Sequence, residues 1–345
     1  MGSPEDPAWS LLNEYCHGFM VSQVLFAACE LGVFDLLAEA PEPLDLATVV
    51  ARLGTSSHGT ELLLDTCASL KLLNVETRGG RALYQNTELS STYLARVSPT
   101  SQSNMLLYMA GTTYRCWGHL AKAVREGKNQ YLQVFGVPSE ELFSAIYRSE
   151  EEQLQFMRGL QEVWSITGQR VLTAFDLSQF PLICDLGGGS GALAKECLSL
   201  YPECKVTIFD IPEVVRMARK HFPSSEDERI GFHQGDFFKD PLPEADLYIL
   251  ARILHDWTDE KCSRLLQKLQ HTCKPGGGIL VIESLLDEDR QGPLTTQLYS
   301  LNMLVQTEGQ ERTPTQYHRL ISSAGFRSFQ FKKTGAIYDA IFARN

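Results

Sequence analysis

The stretch Pro181-Leu-Ile-Cys-Asp-Leu-Gly-Gly-Gly-Ser-Gly-Ala-Leu-Ala-Lys-Glu196 constrains this chain more than any other. An apolar run ends around an acid, Asp185, breaks into a glycine cluster and resumes as a helical pattern. That order predicts a strand, a tight loop and a helix N-terminus. An open α/β sheet holds a ligand there, beyond the carboxyl end of its first strand. Gly187, Gly189 and Gly191 carry no Cβ, so the chain can turn sharply and a ligand can lie against bare backbone.

Two ligands fit such a loop. Gly187 to Ala192 matches the loose dinucleotide pattern G-x-G-x-x-G/A. The spacing Asp185-x-Gly187-x-Gly189-x-Gly191 suits S-adenosylmethionine as well, whose ammonium and sulfonium reward nearby carboxylates. After the loop, strand and helix patterns alternate. Lys205 to Phe209 predicts a second strand ending at Asp210, where one carboxylate can accept both hydroxyls of a ribose. A third strand, Ile230 to Gln234, runs into Gly235-Asp236-Phe237, an edge suited to bonding and stacking on adenine. A fourth, Ala245 to Ala251, ends in Arg252-Ile-Leu-His255-Asp256-Trp257. Thr258 then caps a helix from Asp259 to Cys273. A fifth strand covers Ile279 to Glu283, and helices follow at 294 to 305 and 313 to 323. Strands Phe326 to Lys332 and Ala336 to Ala343 close the chain as a hairpin added to a mostly parallel sheet.

The first half reads differently. Residues 8 to 39 are helical, with an apolar face of Phe19, Val21, Val24, Leu25 and Ala28 for a partner subunit or its own domain to cover. Helices at Leu44 to Leu53 and His58 to Leu70 precede two short strands, from Val75 and Arg81, around Gly79-Gly80. This is a winged-helix outline, and such outlines often bind DNA. Between Pro41 and Arg96, however, five basic residues face six acids, and the whole chain carries −11. A DNA reader shows a basic patch, so a packing or dimerisation module is expected instead. Residues 103 to 170 are helical and aromatic-rich. The nine cysteines are scattered without a C-x-x-C pair, which reads as reduced thiols in a cytoplasmic protein rather than disulfides or a zinc site. No apolar run approaches about 18 residues, so no membrane helix is expected. The acidic start at Met1 is no signal peptide.

Five blocks now stand in order: DLGGGSG from Asp185, the acid Asp210, GDFF from Gly235, LHDW from Leu254 and EGQERT from Glu308. Together, behind a helical N-terminal domain, they resemble the class I small-molecule O-methyltransferases that use S-adenosylmethionine, the family of caffeate, flavonoid and hydroxyindole methyltransferases. The resemblance covers essentially the whole chain. It implies a Rossmann-like α/β methyltransferase sheet with a terminal antiparallel hairpin, preceded by a helical, winged-helix-like dimerisation domain. The expected boundaries are 1–110 for dimerisation, 111–170 for a helical connection lining the pocket, and 171–345 for the donor-binding domain. His255 takes the role of the base, Glu311 orients its ring, and Glu283 is a second candidate for that task. Asp185, Gly187, Gly189, Asp210, Gly235, Asp236 and Phe237 would bind the donor. Arg252 would do so through its backbone, since many plant relatives carry lysine there. By likeness to the hydroxyindole members, Tyr147 and Trp164 border the donor, while Asp256, Asn302 and Gln306 contact a small aromatic hydroxy-indole. The family also implies a homodimer with interlocked N-terminal helices, and no metal, nucleic acid or membrane. The rival enzyme reading is an NAD-dependent oxidoreductase. The rival binding reading is a winged-helix protein that keeps an inactive methyltransferase fold.

The chemistry explains why such residues are wanted. Methyl transfer to oxygen is an in-line displacement on an already activated carbon, so the protein must place the oxygen and remove its proton. A phenol of pKa about 10 is ionised at pH 7 in roughly one molecule in 10³, a deficit of about 4 kcal/mol. An imidazole of reference pKa about 6.5 is available as base. A positioned base contributes about 10²–10⁴ in rate. A carboxylate on its other nitrogen fixes the tautomer and stabilises the imidazolium. His221, at a helix end, and His233, in a strand, lack such a setting and are expected to be structural or exposed.

Overall fold

A computed structural model describes residues 6–138, 143, 146–222 and 228–345; the Met1–Glu5 start read above lies outside them. Three short strands, β1 (Leu44–Asp45), β2 (Leu73–Arg78) and β3 (Arg81–Asn86), lie in the first half, and seven follow residue 181. These seven are β4 (Leu182–Leu186), β5 (Lys205–Asp210), β6 (Ile230–Gln234), β7 (Leu247–Ala251), β8 (Gly278–Glu283), β9 (Arg327–Lys332) and β10 (Asp339–Arg344). They form one sheet in the order β6-β5-β4-β7-β8-β10-β9. Asp185 on β4 sits opposite Ile208 on β5 and Ile249 on β7, all parallel. The chain winds from β4 through β5 to β6 on one side and resumes with β7 on the other. The order therefore reverses between β4 and β7, where such sheets open a crevice.

Burial follows the sequence. The central strand β8 is buried along its whole length and β7 at four of its five residues. Their near-continuous apolar runs suit strands covered on both faces. The closing pair is the expected hairpin added to the sheet: β10 lies between β8 and β9, antiparallel to both. Its Ala340-Ile-Phe-Ala343 run is buried, whereas Arg-Ser-Phe-Gln-Phe-Lys of β9 alternates and is mostly exposed. The apolar strand takes the interior and the alternating one takes the rim. Residues 336–338, expected as strand, precede β10 as an irregular link.

The chain divides into two compact units, Met1–Gly111 and Thr112–Asn345. In the first, β1, β3 and β2 form an antiparallel wing. The helix expected from Leu44 starts at Leu46 instead. Leu44 and Asp45 pair with Tyr84 and Leu83, and the Asp45 carboxylate caps the helix by accepting from the Thr48 N–H at 2.9 Å. Val49, Leu64, Cys67, Leu73 and Tyr84 form its core. The first helix, Pro7–Glu30, leaves Trp9, Leu12, Tyr15, Phe19 and Met20 exposed. Among the described residues no single helix is long and apolar enough to cross a membrane, although the bent pair Pro7–Glu30 and Val33–Glu39 meets that test jointly.

In the second unit the helical 112–170 stretch is broken into short pieces before a long helix, Glu150–Leu172. Ser149 caps that helix, Glu150, Glu151 and Glu152 fill its first turn, and Arg170 lies in its last, as the helix dipole favours.

Candidate active site

The glycine loop leaves β4 with Gly187, Gly189 and Gly191 all at positive φ. A Cβ on Gly187 would stand 2.5 Å from Ile253 Cδ1, and its φ of 66° is one that other residues rarely adopt. Gly189 has open space where a Cβ would be, and its N–H donates to Asp210 Oδ2 at 2.9 Å. Asp210 Oδ1 accepts from the Ile211 N–H, and its carbonyl accepts from the Gly235 N–H at 2.9 Å. Gly235 is forced as well, because a Cβ there would meet the Phe209 ring at 2.7 Å. Asp185 is buried, and neither carboxylate oxygen has a hydrogen-bond partner among the described residues. Burial, then the nearby Asp210, pushes its pKa up to about 7. Burial raises Asp210 to about 6, against the two backbone donors. Bare backbone, an open left-handed glycine, the buried Asp185 and the half-buried Asp210 fit a ligand rich in hydroxyls and positive charge.

The second cluster is at the exits of β7 and β8. Leu254–Asp256 form a single 3₁₀ turn that carries His255 into the interior. His255 Nδ1 lies 2.7 Å from Glu311 Oε1 and 3.6 Å from Glu283 Oε2, while Nε2 lies 3.6 Å from Asp256 Oδ1. Glu283, at the end of β8, accepts both the Leu254 and His255 N–H groups on Oε1, at 2.9 and 3.3 Å. The two glutamates thus divide the work: Glu311 meets the ring and Glu283 holds the backbone beneath it. Burial opposes the charged imidazole, but Glu283, Glu311 and Asp256 outweigh it and raise its pKa to about 9. Burial also pushes Glu283 up to about 7, with Glu311 adding to the effect and His255 opposing it. The carboxylates of Glu283, Glu311 and Asp256 thus favour the protonated ring, and burial favours the neutral one.

His255, Glu283 and Glu311 are close enough to raise the question of a metal. A zinc ion takes nitrogen at about 2.0–2.1 Å and carboxylate oxygen at about 2.0–2.2 Å, which spreads the ligand atoms beyond 3 Å in a tetrahedral site. The 2.7 Å approach of Nδ1 to Glu311 leaves room for a shared proton instead.

The remaining expected residues fall into three groups. Asp236 already accepts from the Phe238 N–H and pairs with Lys239, while Phe237 meets Phe238 and Trp257 edge-on. Tyr147 stacks on Phe143, which leans on Trp257, and Tyr147 and Ile211 pack against the same buried cluster of Met157, Val214 and Met217. Arg252, a non-glycine at φ 58, donates its N–H to the Ile282 carbonyl, and its guanidinium lies 5.6 Å from the Tyr338 ring. Trp164 packs on the same ring at 5.5 Å. Asn302 and Gln306 bond each other and form a network with Trp117 Nε1, Thr113 and Tyr131. Their helix, Leu294–Gln306, meets the histidine cluster through Ser300, whose hydroxyl accepts the Glu311 N–H at 3.3 Å. His233 is exposed and stacks on Phe209. Sequence reasoning passed over Gly309, Arg312 and Tyr317, which surround the same turn. Gly309 and Arg312 stand inside the block that supplied Glu311, so the signal was at hand.

This crevice, with acids at one strand end and a carboxylate-held histidine at the next, has close counterparts. Residues 117–327 match the family model described as an O-methyltransferase domain, and residues 13–96 match an O-methyltransferase dimerisation domain. The chain belongs to the O-methyltransferase family. Acetylserotonin O-methyltransferase of Homo sapiens is 77% identical over 100% of both chains, and that of Bos taurus is 70% identical over 100% of both. A crystal structure of human N-acetylserotonin methyltransferase in complex with SAM matches with a TM-score of 0.98 at 76% identity, covering 100% of this chain and 99% of that one.

Proposed function

We propose that this protein transfers the methyl group of S-adenosylmethionine to the 5-hydroxyl of N-acetylserotonin, giving melatonin, with His255 as general base. The observation that carries the reaction class is the 2.7 Å contact of His255 Nδ1 with Glu311, beside a glycine cradle with two unneutralised acids. The acceptor rests on the names of the close relatives.

The donor supplies an activated methyl carbon when bound. Asp210 and the glycine loop take its ribose and amino-acid portions, and Gly235, Asp236 and Phe237 take its adenine. Tyr147, Trp164 and the Arg252 backbone border it. Asp256, Asn302 and Gln306 face the acceptor. His255 accepts the phenolic proton on Nε2, and Glu311 steadies the resulting imidazolium. Raising the ring to about 9 does not spoil this role. At pH 7 the ring must first lose a proton, which costs about two pKa units, and it then takes one from a phenol only about one unit weaker. The total, about three units or 4 kcal/mol, is set by the phenol and the solvent. The cluster decides only how it is split.

The 1–110 region serves as a dimerisation module, supported by the match at 13–96 and by the exposed apolar face of Pro7–Glu30. Residues 111–170 line the pocket and 171–345 bind the donor. The nine free cysteines suit a cytoplasmic protein. Steady-state kinetics with N-acetylserotonin, serotonin and a catechol test the acceptor. N-acetylserotonin should give the largest kcat/KM; a catechol turned over better would overturn the assignment. Thermal shift with S-adenosylmethionine and with NAD, each alone, separates the oxidoreductase reading.

A further inference from the structure

We propose that Arg312 is a positioning residue for the reaction: it fixes the place of His255 through the backbone carbonyls of the Leu254–Trp257 turn, with Gly309 as its packing counterpart. The proposal rests on His255 being the base.

The turn is weak by itself. It is one 3₁₀ turn, a form with poor hydrogen-bond geometry. Its own bonds, Asp256 N–H to the Ile253 carbonyl and Trp257 N–H to the Leu254 carbonyl, are both 3.3 Å. What holds it comes from outside, and from two charged ends. Glu283 takes the N–H groups of Leu254 and His255. Arg312 takes the carbonyls: Nη1 donates to Leu254 at 2.9 Å and Nη2 to Trp257 at 2.8 Å. Nη1 also donates to the Gln310 carbonyl, and Nε and Nη2 both donate to Asp259 Oδ1, at 2.9 and 2.7 Å. A guanidinium has five N–H donors in a fixed fork, and here five bonds are made. Lysine, with three donors about one point, cannot reproduce that pattern.

The same strand of chain seals the far side. A Cβ on Gly309 would overlap the His255 carbonyl oxygen and lie 2.6 Å from the Trp257 nitrogen, so residue 309 sits flush on the catalytic backbone. Arg312 is itself pinned to the sheet, its carbonyl accepting the Leu286 N–H at 3.1 Å just after β8. One short run therefore delivers a ring partner, Glu311, and a backbone clamp, Arg312. Arg312 is 1% exposed, while the side chain of its counter-ion Asp259 is 63% exposed. Burying a guanidinium against a wet carboxylate is a poor way to gain stability, since apolar replacements of buried ion pairs are often neutral or better. The fork geometry is what the arginine adds.

The test uses the full chain with Arg312→Met, Arg312→Lys and Gly309→Ala, reading kcat, donor affinity by calorimetry, and the imidazole ¹H–¹⁵N signals of His255 assigned against His255→Gln. Displacing a catalytic group by about 1 Å costs about 10²-fold, so Arg312→Met should lose about that in kcat, and Arg312→Lys about tenfold. Donor affinity should stay within about threefold, and the His255 signal should move. Gly309→Ala should show the same split without any change of charge. If Arg312→Met does not fold, Asp259→Asn weakens the fork at its exposed end and should lower kcat about threefold to tenfold with donor affinity kept. Folded variants with kcat within about threefold of wild type overturn the proposal, as does a parallel loss of kcat and donor affinity with the His255 signal unmoved. The imidazole signal is read without acceptor. Wild-type protein inactive on N-acetylserotonin would sink the acceptor assignment while a shifted signal in Arg312→Met left the positioning role standing.

Discussion

The ends of β4 and β5 and the ends of β7 and β8 solve the same problem in opposite ways. Both gather acids that are buried or half-buried. At the second, the chain brings its own donors: the His255 ring lies among Glu311, Glu283 and Asp256, and the buried Arg312 guanidinium donates to the neighbouring carbonyls. At the first, among the described residues, Asp185 has no hydrogen-bond partner and Asp210 accepts from two backbone N–H groups, and both acids are pushed up into the range of about 6 to 7. The first end is complete only with a ligand; the second is complete before one arrives. Donor affinity should therefore depend on the cradle acids and turnover on the histidine turn, with little crossing over.

The sharpest way to break that division is His255→Gln. Turnover should fall by about 10²–10⁴ while the affinity for S-adenosylhomocysteine stays within about threefold. Turnover kept within about threefold of wild type would remove the base. Next in size is Glu311→Gln, which keeps the shape and removes the charge that the Nδ1 proton faces. We expect turnover to drop by about tenfold to 10²-fold. The carboxylates raise the ring pKa, so a neutral amide lets it fall. A base of lower pKa is free at lower pH, and the acidic limb of the kcat/KM profile should move down. An unmoved limb would mean that Glu311 does not set the basicity of His255.

How much of this could be read beforehand follows from where the determinants lie. The sheet strands β4, β5, β7 and β8 were legible because each is a mostly apolar run bounded by a turn signal, and the glycine loop because positive φ has few substitutes. His255, Glu311 and Glu283 were named as a set, and the structure brings them together. The place of β10 was not legible: both closing segments read as strands, and nothing local says which one slides beside β8. The same holds for Leu44 and Asp45, whose strand character is conferred by β3. Arg312 was hidden for another reason. A basic residue in a loop reads as solvated, and only the fold shows that three carbonyls and an acid converge on it.

Asp210→Ala probes the other end. It removes the carboxylate that meets the Gly189 N–H and should weaken S-adenosylhomocysteine binding about tenfold or more by calorimetry, with the His255 signals unmoved. Unchanged affinity would take Asp210 out of the ribose site.

The smallest expected effect tests the comparison most directly, because it needs no mutation. Without ligand, Asp210 and Asp185 titrate near 6 and 7, well above the ordinary aspartate value of 3.8. Between about pH 4 and 7 the folded chain therefore holds more protons at these sites than the unfolded chain. Their contribution destabilises the ligand-free protein as pH rises through that window. A bound ammonium and ribose diol prefer the ionised acids and pull both values down. Ligand binding must then release protons, and donor affinity must rise with pH through 6 to 7 and level off above. We expect a gain of roughly tenfold between pH 5.5 and 8, measured with S-adenosylhomocysteine in buffers of different ionisation enthalpy so that proton release is counted directly. Asp185→Asn should flatten the curve and remove most of the release. An affinity independent of pH over this range, with no protons released, would show that the cradle acids are already neutralised by the chain, and the contrast between the two strand ends would be lost.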